Sequence, residues 1–302
     1  MIYAISDLHA HSKTFKEFKK ILKPEDKVFY LGDAVDKGDG TLDVFFDIIR
    51  DKRFEFIMGN HEYMLYKWLL FSSKLSEIED MDEAEYKEYS ENYPEYEWLR
   101  LERKSGRAHL VYENNDGART IDDYLKRSKE DFDEMFDTLS TLPLEMEAGI
   151  NKRGFLFVHA CPLKTSKMKD GIVSINNYNL FKEREGYSEP ETIVWERDYF
   201  VKYKDRIVIT GHNPVPYCFG KDKKEGTEYF PKTDGEYENI PDENGWYHPI
   251  KIGTWYDIDG GLAFRARNYG NLFILRLDDM AVKIIENKDD DRIEEALESF
   301  WY

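Results

Sequence analysis

The feature that most constrains this chain is a set of five short polar clusters, each set directly after an apolar run. They are Asp7-Leu8-His9, Gly32-Asp33-Ala34-Val35-Asp36, Gly59-Asn60-His61-Glu62, Val158-His159 and Gly211-His212. The runs before them, at 2–5, 28–31, 54–58, 155–158 and 207–209, are rich in Ile, Val, Phe and Tyr and read as buried strands, as does a further run at 272–277. In an α/β sheet the carboxyl ends of the strands are where ligand sites gather. Residues far apart in sequence are therefore expected to meet along one edge, and five clusters in that register exceed what chance supplies.

Helical patterns separate the first three runs. Ser12 is placed to cap a helix burying Phe15, Phe18, Ile21 and Leu22, and Thr41 one burying Leu42, Phe45, Phe46 and Ile49. Strand and helix in alternation predict an α/β fold with parallel pairing. Between about 63 and 140 the character changes: 65–69 and 121–139 have helical spacing, and 76–97 is dominated by Glu, Asp and Tyr. This stretch reads as a mostly helical insertion, either a solvated cap on the core or a lid that selects substrates. The stretch 219–249 reads as a long loop, and Ile293, Ala296, Leu297 and Phe300 as an amphipathic terminal helix. No internal repeat is visible, and residues 1–302 are expected to form a single domain.

Composition narrows the function classes. The formal net charge of −18 repels nucleic-acid backbones, so no stable nucleic-acid partner is expected, although a local positive pocket or bound cations can still hold one phosphate. With only Cys161 and Cys218, no disulfide framework can be drawn and a reducing compartment is the simpler assumption. The best apolar stretch, 64–71, is too short to span a bilayer and contains Lys67. No charged segment followed by an apolar one precedes the first strand. A soluble, cytoplasmic protein without a membrane partner is expected.

Asp, His and Asn supply hard oxygen and borderline nitrogen donors, a mixture suited to Mn, Fe or Zn. One carboxylate can bridge two such ions, and a pair of ions can clamp a phosphoryl group and generate hydroxide at neutral pH. Taken singly, each histidine reads as a surface or core residue, Asp33 as a turn residue and Asn60 as a helix cap. The metal reading rests on the set.

The ordered series Asp-x-His, Gly-Asp-x-Val-Asp-x-Gly, Gly-Asn-His-Glu, His and Gly-His resembles the calcineurin-like metallophosphoesterases. Within them it resembles the phosphoprotein phosphatase family, which includes the serine/threonine protein phosphatases, bacteriophage lambda phosphatase and the bacterial symmetrical diadenosine tetraphosphatases. The closing Asp257-Ile258-Asp259-Gly260-Gly261 is similar to the family's last motif. The resemblance implies two mixed β-sheets packed face to face and flanked by helices. It implies that Asp7, His9 and Asp33 hold one metal ion, and that Asp33 bridges to a second completed by Asn60, His159 and His212. His61 would be the general acid, oriented and kept protonated by Asp36, and Arg197, with Lys37, would bind phosphate oxygens. Two divalent or trivalent transition metal ions are implied, Mn foremost in vitro, with Fe or Zn as alternatives.

Three departures stand out. The first motif reads Ser6-Asp7-Leu8-His9-Ala10-His11, without the usual glycine on either side of the ligands. Lysine at 37 replaces the family's phosphate-binding arginine, a point charge in place of a fork. Cys161 follows His159-Ala160, where relatives carry glycine, and is expected to pack as a small apolar residue. The implied reaction is hydrolysis of a phosphomonoester by metal-bound hydroxide, foremost on phosphoserine or phosphothreonine of proteins and also on phosphotyrosine. A diadenosine tetraphosphatase or other nucleotide hydrolase is the alternative enzyme. A non-catalytic scaffold is the alternative of another class, and the intact ligand set argues against it.

Overall fold

The computed structural model describes residues 1–38, 42–79, 81–92, 116–162, 172–174, 183–184, 187–188, 193–195, 197, 205–218, 239–264 and 270–289. Its strands are β1 (Ile2–Ile5), β2 (Lys27–Tyr30), β3 (Phe54–Phe56), β4 (Pro143–Ile150), β5 (Arg153–Val158) and β6 (Ile172–Ser174). A short hairpin follows, β7 (Glu183–Arg184) with β8 (Tyr187–Ser188), and then β9 (Arg206–Thr210), β10 (Ile250–Ile252), β11 (Trp255–Asp257), β12 (Asn271–Arg276) and β13 (Ala281–Glu286).

Two mixed sheets carry the fold. One has the order β13-β12-β1-β2-β3, the other β10-β11-β9-β5-β4-β6. In the first, β1, β2 and β3 run parallel, and in the second β5, β9 and β11 do. Antiparallel strands complete the sheets outside these trios. The sheets face each other, with the Phe29 ring of β2 stacked on Phe157 of β5 at 4.0 Å between centroids. The parallel trios thus point their carboxyl ends at the same rim.

Helices flank this core. The helix Ser12–Lys19 buries Phe15 and Phe18 but stops before Ile21 and Leu22, and Ser12 does not cap it. Asp289 does so instead, accepting the backbone N–H groups of Lys13 and Thr14 at 2.7 and 2.8 Å. A carboxylate there also meets the positive end of the helix dipole, which a serine hydroxyl meets less well. The next helix, Asp43–Ile49, is flanked by Leu42, and Thr41 lies outside the described residues.

The expected insertion is helical where it is described: Asn60–Glu79, Glu83–Asn92, Ala118–Tyr124 and Lys129–Thr141. Its ends pack on the core. Tyr63 to Tyr66 are buried in the core, and rings link the outgoing helix to the returning ones, Tyr66 to Phe136 at 5.6 Å and Trp68 to Tyr124 at 5.8 Å. The acidic stretch 93–97, most of the loop proposed at 219–249 and the terminal helix around 293–300 fall outside the described residues. No helix among the described residues is long and apolar enough to cross a membrane.

Candidate metal centre

The rim is built by forcing the chain into unusual conformations just past the strands. Asp7, His9, Ala10, Asp33, Asp36, Lys37 and His212 all have positive φ, between 45° and 67°. Non-glycine residues occupy that region at a cost of about 1–3 kcal/mol each, and such strain collects at functional sites. The loops after β1 and β2 hold each other in place. Asp7 N–H donates to the Gly32 carbonyl at 3.0 Å, His9 N–H to Asp33 at 2.8 Å and Ala10 N–H to Ala34 at 2.9 Å. Glycine is required where this weave is tightest. A Cβ on Gly59 would lie 2.5 Å from the Asp33 backbone nitrogen, and one on Gly211 would strike the side chains of Ser6 and Asp7.

All six residues expected as ligands converge here, each at most 3% exposed. Asp33 stands at the centre, with its two oxygens facing different partners. Its Oδ2 is 3.6 Å from His9 Nε2, while its Oδ1 is 3.5 Å from His159 Nε2. Asp7 Oδ1 lies 3.9 Å from His9 Nε2 on the first side. On the second, Asn60 Oδ1 is 2.9 Å from His159 Nε2 and 3.0 Å from His212 Nδ1. Asp33, His159 and His212 form one group spaced to hold a metal ion.

The second ring nitrogens decide what these contacts mean. His9 Nδ1 meets the Val35 carbonyl at 3.3 Å, His159 Nδ1 the Leu31 carbonyl at 2.6 Å and His212 Nε2 the Trp195 carbonyl at 3.3 Å. A carbonyl only accepts, so each outer nitrogen carries the proton and each inner one presents a lone pair. On the second side, the lone pairs of His159 Nε2, His212 Nδ1 and Asn60 Oδ1 then crowd together with no proton among them. A cation reconciles that arrangement, and backbone acceptors behind ligand imidazoles are the usual outer support of a metal.

Electrostatics agree with a site made for cations. Burial first, then the charge of Asp259 and Asp33, raises Asp7 well above the usual carboxylate range. Burial and the charge of Glu62 do the same to Asp33. Burial lowers His9 and His212 well below the ordinary histidine value and His159 to about 3, so the imidazoles stay neutral. The closing motif joins this buried acid cluster. Burial pushes Asp259 up to about 7, and Asp257 rises well above its ordinary value by burial and the charge of Asp259. Asp257 Oδ2 is buried without a hydrogen-bond partner.

His61 differs from the other rim histidines in what stands behind it. Its Nε2 is 4.0 Å from Asp33 Oδ2, so His9, Asp33 and His61 also satisfy metal-ligand spacing. Its Nδ1, however, bonds the carboxylate of Asp36 at 2.7 Å rather than a carbonyl. Burial lowers the His61 pKa, and the hydrogen bond and charge of Asp36 pull it back up without fully offsetting burial. The expected support of the protonated form by Asp36 is therefore present in direction only.

The two cations expected at the phosphate flank the two halves of the rim. Lys37 adds to the lowering of His9 and His61 that burial begins, and Arg197 to that of His159 and His212. Lys37 Nζ rests 3.4 Å from Asp116, and Arg197 donates to the His212 carbonyl at 2.7 Å and to Asn213 Oδ1 at 3.2 Å. His11 is buried with Nδ1 2.8 Å from the Leu8 carbonyl, and Cys161 is buried, in keeping with a packing role.

Two residues that the sequence did not single out for the site prove to belong to it. Glu62, expected only to open a helix, is fully buried and accepts the backbone N–H groups of Asp33 at 2.6 Å, Ala34 at 2.7 Å and Gly59 at 3.1 Å. Thr120 donates from Oγ1 to Asp36 Oδ1. The glutamate of Gly-Asn-His-Glu was in view as part of the motif, whereas nothing in the local sequence marks Thr120.

Comparison with known proteins follows the geometry. No curated protein sequence matches the chain. Similar solved structures include a protein proposed to be a diadenosine tetraphosphatase, at 12% identity and TM-score 0.45, covering 95% of this chain and 93% of that one. A protein serine/threonine phosphatase from Saccharomyces cerevisiae is similar at 13% identity and TM-score 0.45, covering 96% and 80%. A metallophosphoesterase from Sphaerobacter thermophilus is similar at 15% identity and TM-score 0.44, covering 94% and 87%. The profile of the calcineurin-like phosphoesterases matches residues 1–234, and the chain belongs to that family of metal-dependent hydrolases.

Proposed function

We propose that this chain is a dinuclear-metal phosphomonoesterase whose substrates are phosphoproteins, foremost at serine and threonine and also at tyrosine. The observation that carries the reading is Asp33, which turns one carboxylate oxygen to His9 and the other to His159. Asp7, His9 and Asp33 would hold one ion, and Asp33, Asn60, His159 and His212 the other. When bound, two transition metal ions, Mn foremost in vitro with Fe or Zn as alternatives, would supply an activated water and offset phosphoryl charge. Lys37 and Arg197 would hold the non-reacting phosphate oxygens, since phosphoryl transfer gains chiefly from positioning and charge stabilisation. His61, backed by Asp36, would give its proton to the leaving oxygen. Residues 1–302 act in this reading as a single domain.

Charge favours a phosphomonoester over a nucleotide carrying several phosphates. A chain at −18 repels a group of about −2 less strongly than a polyphosphate. The test is a side-by-side assay with Mn on p-nitrophenyl phosphate, phosphopeptides, diadenosine tetraphosphate and a phosphodiester. The reading expects phosphopeptides to be turned over with the highest kcat/KM among the natural substrate classes. A preference for diadenosine tetraphosphate would replace the substrate and leave the metal chemistry standing.

A further inference from the structure

The helix Ala118–Tyr124 returns from the insertion and lies against the loop that carries Asp36. Several contacts fix it there. Asp123 accepts the Leu42 N–H at 2.8 Å, Arg127, just beyond the helix, reaches Asp43 at 2.7 Å, and Arg119 donates to the Gly38 carbonyl at 3.3 Å. At the centre of this contact Thr120, 1% exposed, donates its hydroxyl proton to Asp36 Oδ1, while the other oxygen of Asp36 holds His61 Nδ1. Thr120 is 84 residues away from Asp36 in sequence.

A carboxylate bonded at only one oxygen can rotate about its Cβ–Cγ bond, and the imidazole it holds would swing with it. A donor fixed to the second oxygen removes that freedom. Thr120 supplies such a donor from a β-branched side chain with few rotamers, seated on a helix clamped on both flanks of the loop. We propose that Thr120 is a positioning residue for the Asp36–His61 pair, so that seating of the insertion's returning helix aligns the group that protonates the leaving oxygen. The proposal rests on the reading of His61 as general acid. It gives the insertion a share in the chemistry beyond any part in substrate choice.

The test compares Thr120→Val, Thr120→Ser and His61→Asn, each with metal content checked by elemental analysis. Valine keeps the shape and removes the hydroxyl, whereas serine keeps the hydroxyl. Thr120→Val is expected to lose about 10-fold in kcat on an alkyl phosphate, at the low end of what outer partners contribute. It should lose little on p-nitrophenyl phosphate, whose leaving group needs no proton. Thr120→Ser should stay close to wild type on both. A second readout needs no turnover: the Nδ1 proton resonance of His61 in the metal-free protein, assigned by its absence in His61→Asn, should move in Thr120→Val and not in Thr120→Ser. An unmoved resonance, or equal losses on both substrates, would overturn the proposal. If His61→Asn itself shows no dependence on the leaving group, the general-acid reading fails, and the resonance alone then decides whether Thr120 orients the pair.

Discussion

Glu62 binds the backbone of Asp33, its carboxylate accepting the Asp33 N–H at 2.6 Å. The same side chain takes the N–H groups of Ala34 and Gly59, so a single buried carboxylate shapes the loops that present Asp33 and Asn60. Burial pushes its pKa up to about 7, and these three hydrogen bonds oppose that rise.

Glu62→Gln keeps the shape but turns an amide NH2 toward a backbone N–H. Leaving a buried donor unpaired costs about 1–3 kcal/mol. The variant is expected to unfold at lower denaturant concentration than wild type and to bind both metal ions more weakly, although residue 62 is not a ligand. Denaturant titration and metal titration check this, and wild-type metal affinity would contradict it.

His61→Asn is expected to keep its metal ions and to lose roughly two to four orders of magnitude in rate on an alkyl phosphate, the usual worth of general acid catalysis. The loss should shrink on p-nitrophenyl phosphate. Metal loss in this variant would instead make His61 a ligand, the role its 4.0 Å approach to Asp33 leaves open on distance alone.

The strands were legible where they are buried on both faces, as at β1, β2 and β9, because their apolar runs are continuous. β4 was not singled out because Glu145 and Glu147 interrupt its apolar run, yet Glu145 is fully buried. β13 was missed for a similar reason, being mostly uncovered. The expected ligands were legible because each sits just past a strand, where topology alone brings it to the rim. Thr120 and Asp289 were not, since their partners lie 84 and 275 or more residues away and a hydrogen bond leaves no periodicity in the sequence.

Lys37 is held at 3.4 Å by Asp116, which is 70% exposed. An exposed pair of this kind contributes little, so a phosphate should displace it readily. Asp116→Asn is expected to lower KM for a phosphomonoester by about twofold, within the worth of such a pair. Lys37→Ala should raise KM. Arg197→Ala should cost more in kcat/KM than Lys37→Ala, because Arg197 also steadies the His212 carbonyl. Steady-state kinetics at fixed metal occupancy decide it, and a raised KM in Asp116→Asn would count against a phosphate role for Lys37.

Metal affinity should rise with pH around neutrality. Asp7 and Asp33 retain protons at higher pH than ordinary carboxylates, chiefly through burial, and a cation has to displace those protons. Burial also pushes Asp259 of the same acid cluster up to about 7. The histidine pKa values are lowered, so protons on the imidazoles do not compete there. Calorimetric titration in two buffers of different ionisation enthalpy should detect proton release at neutral pH. An affinity that stays flat from about pH 5.5 to 8 would exclude this account of the cluster.

The central claim is that Asp33 joins two metal sites, and elemental analysis of the purified protein after equilibration with Mn tests it most directly. The account predicts two ions per wild-type chain and weakened binding at both sites in Asp33→Asn, because the lost carboxylate serves both. A wild-type chain that takes up no more than one ion, or an Asp33→Asn variant that retains two at wild-type affinity, would contradict it.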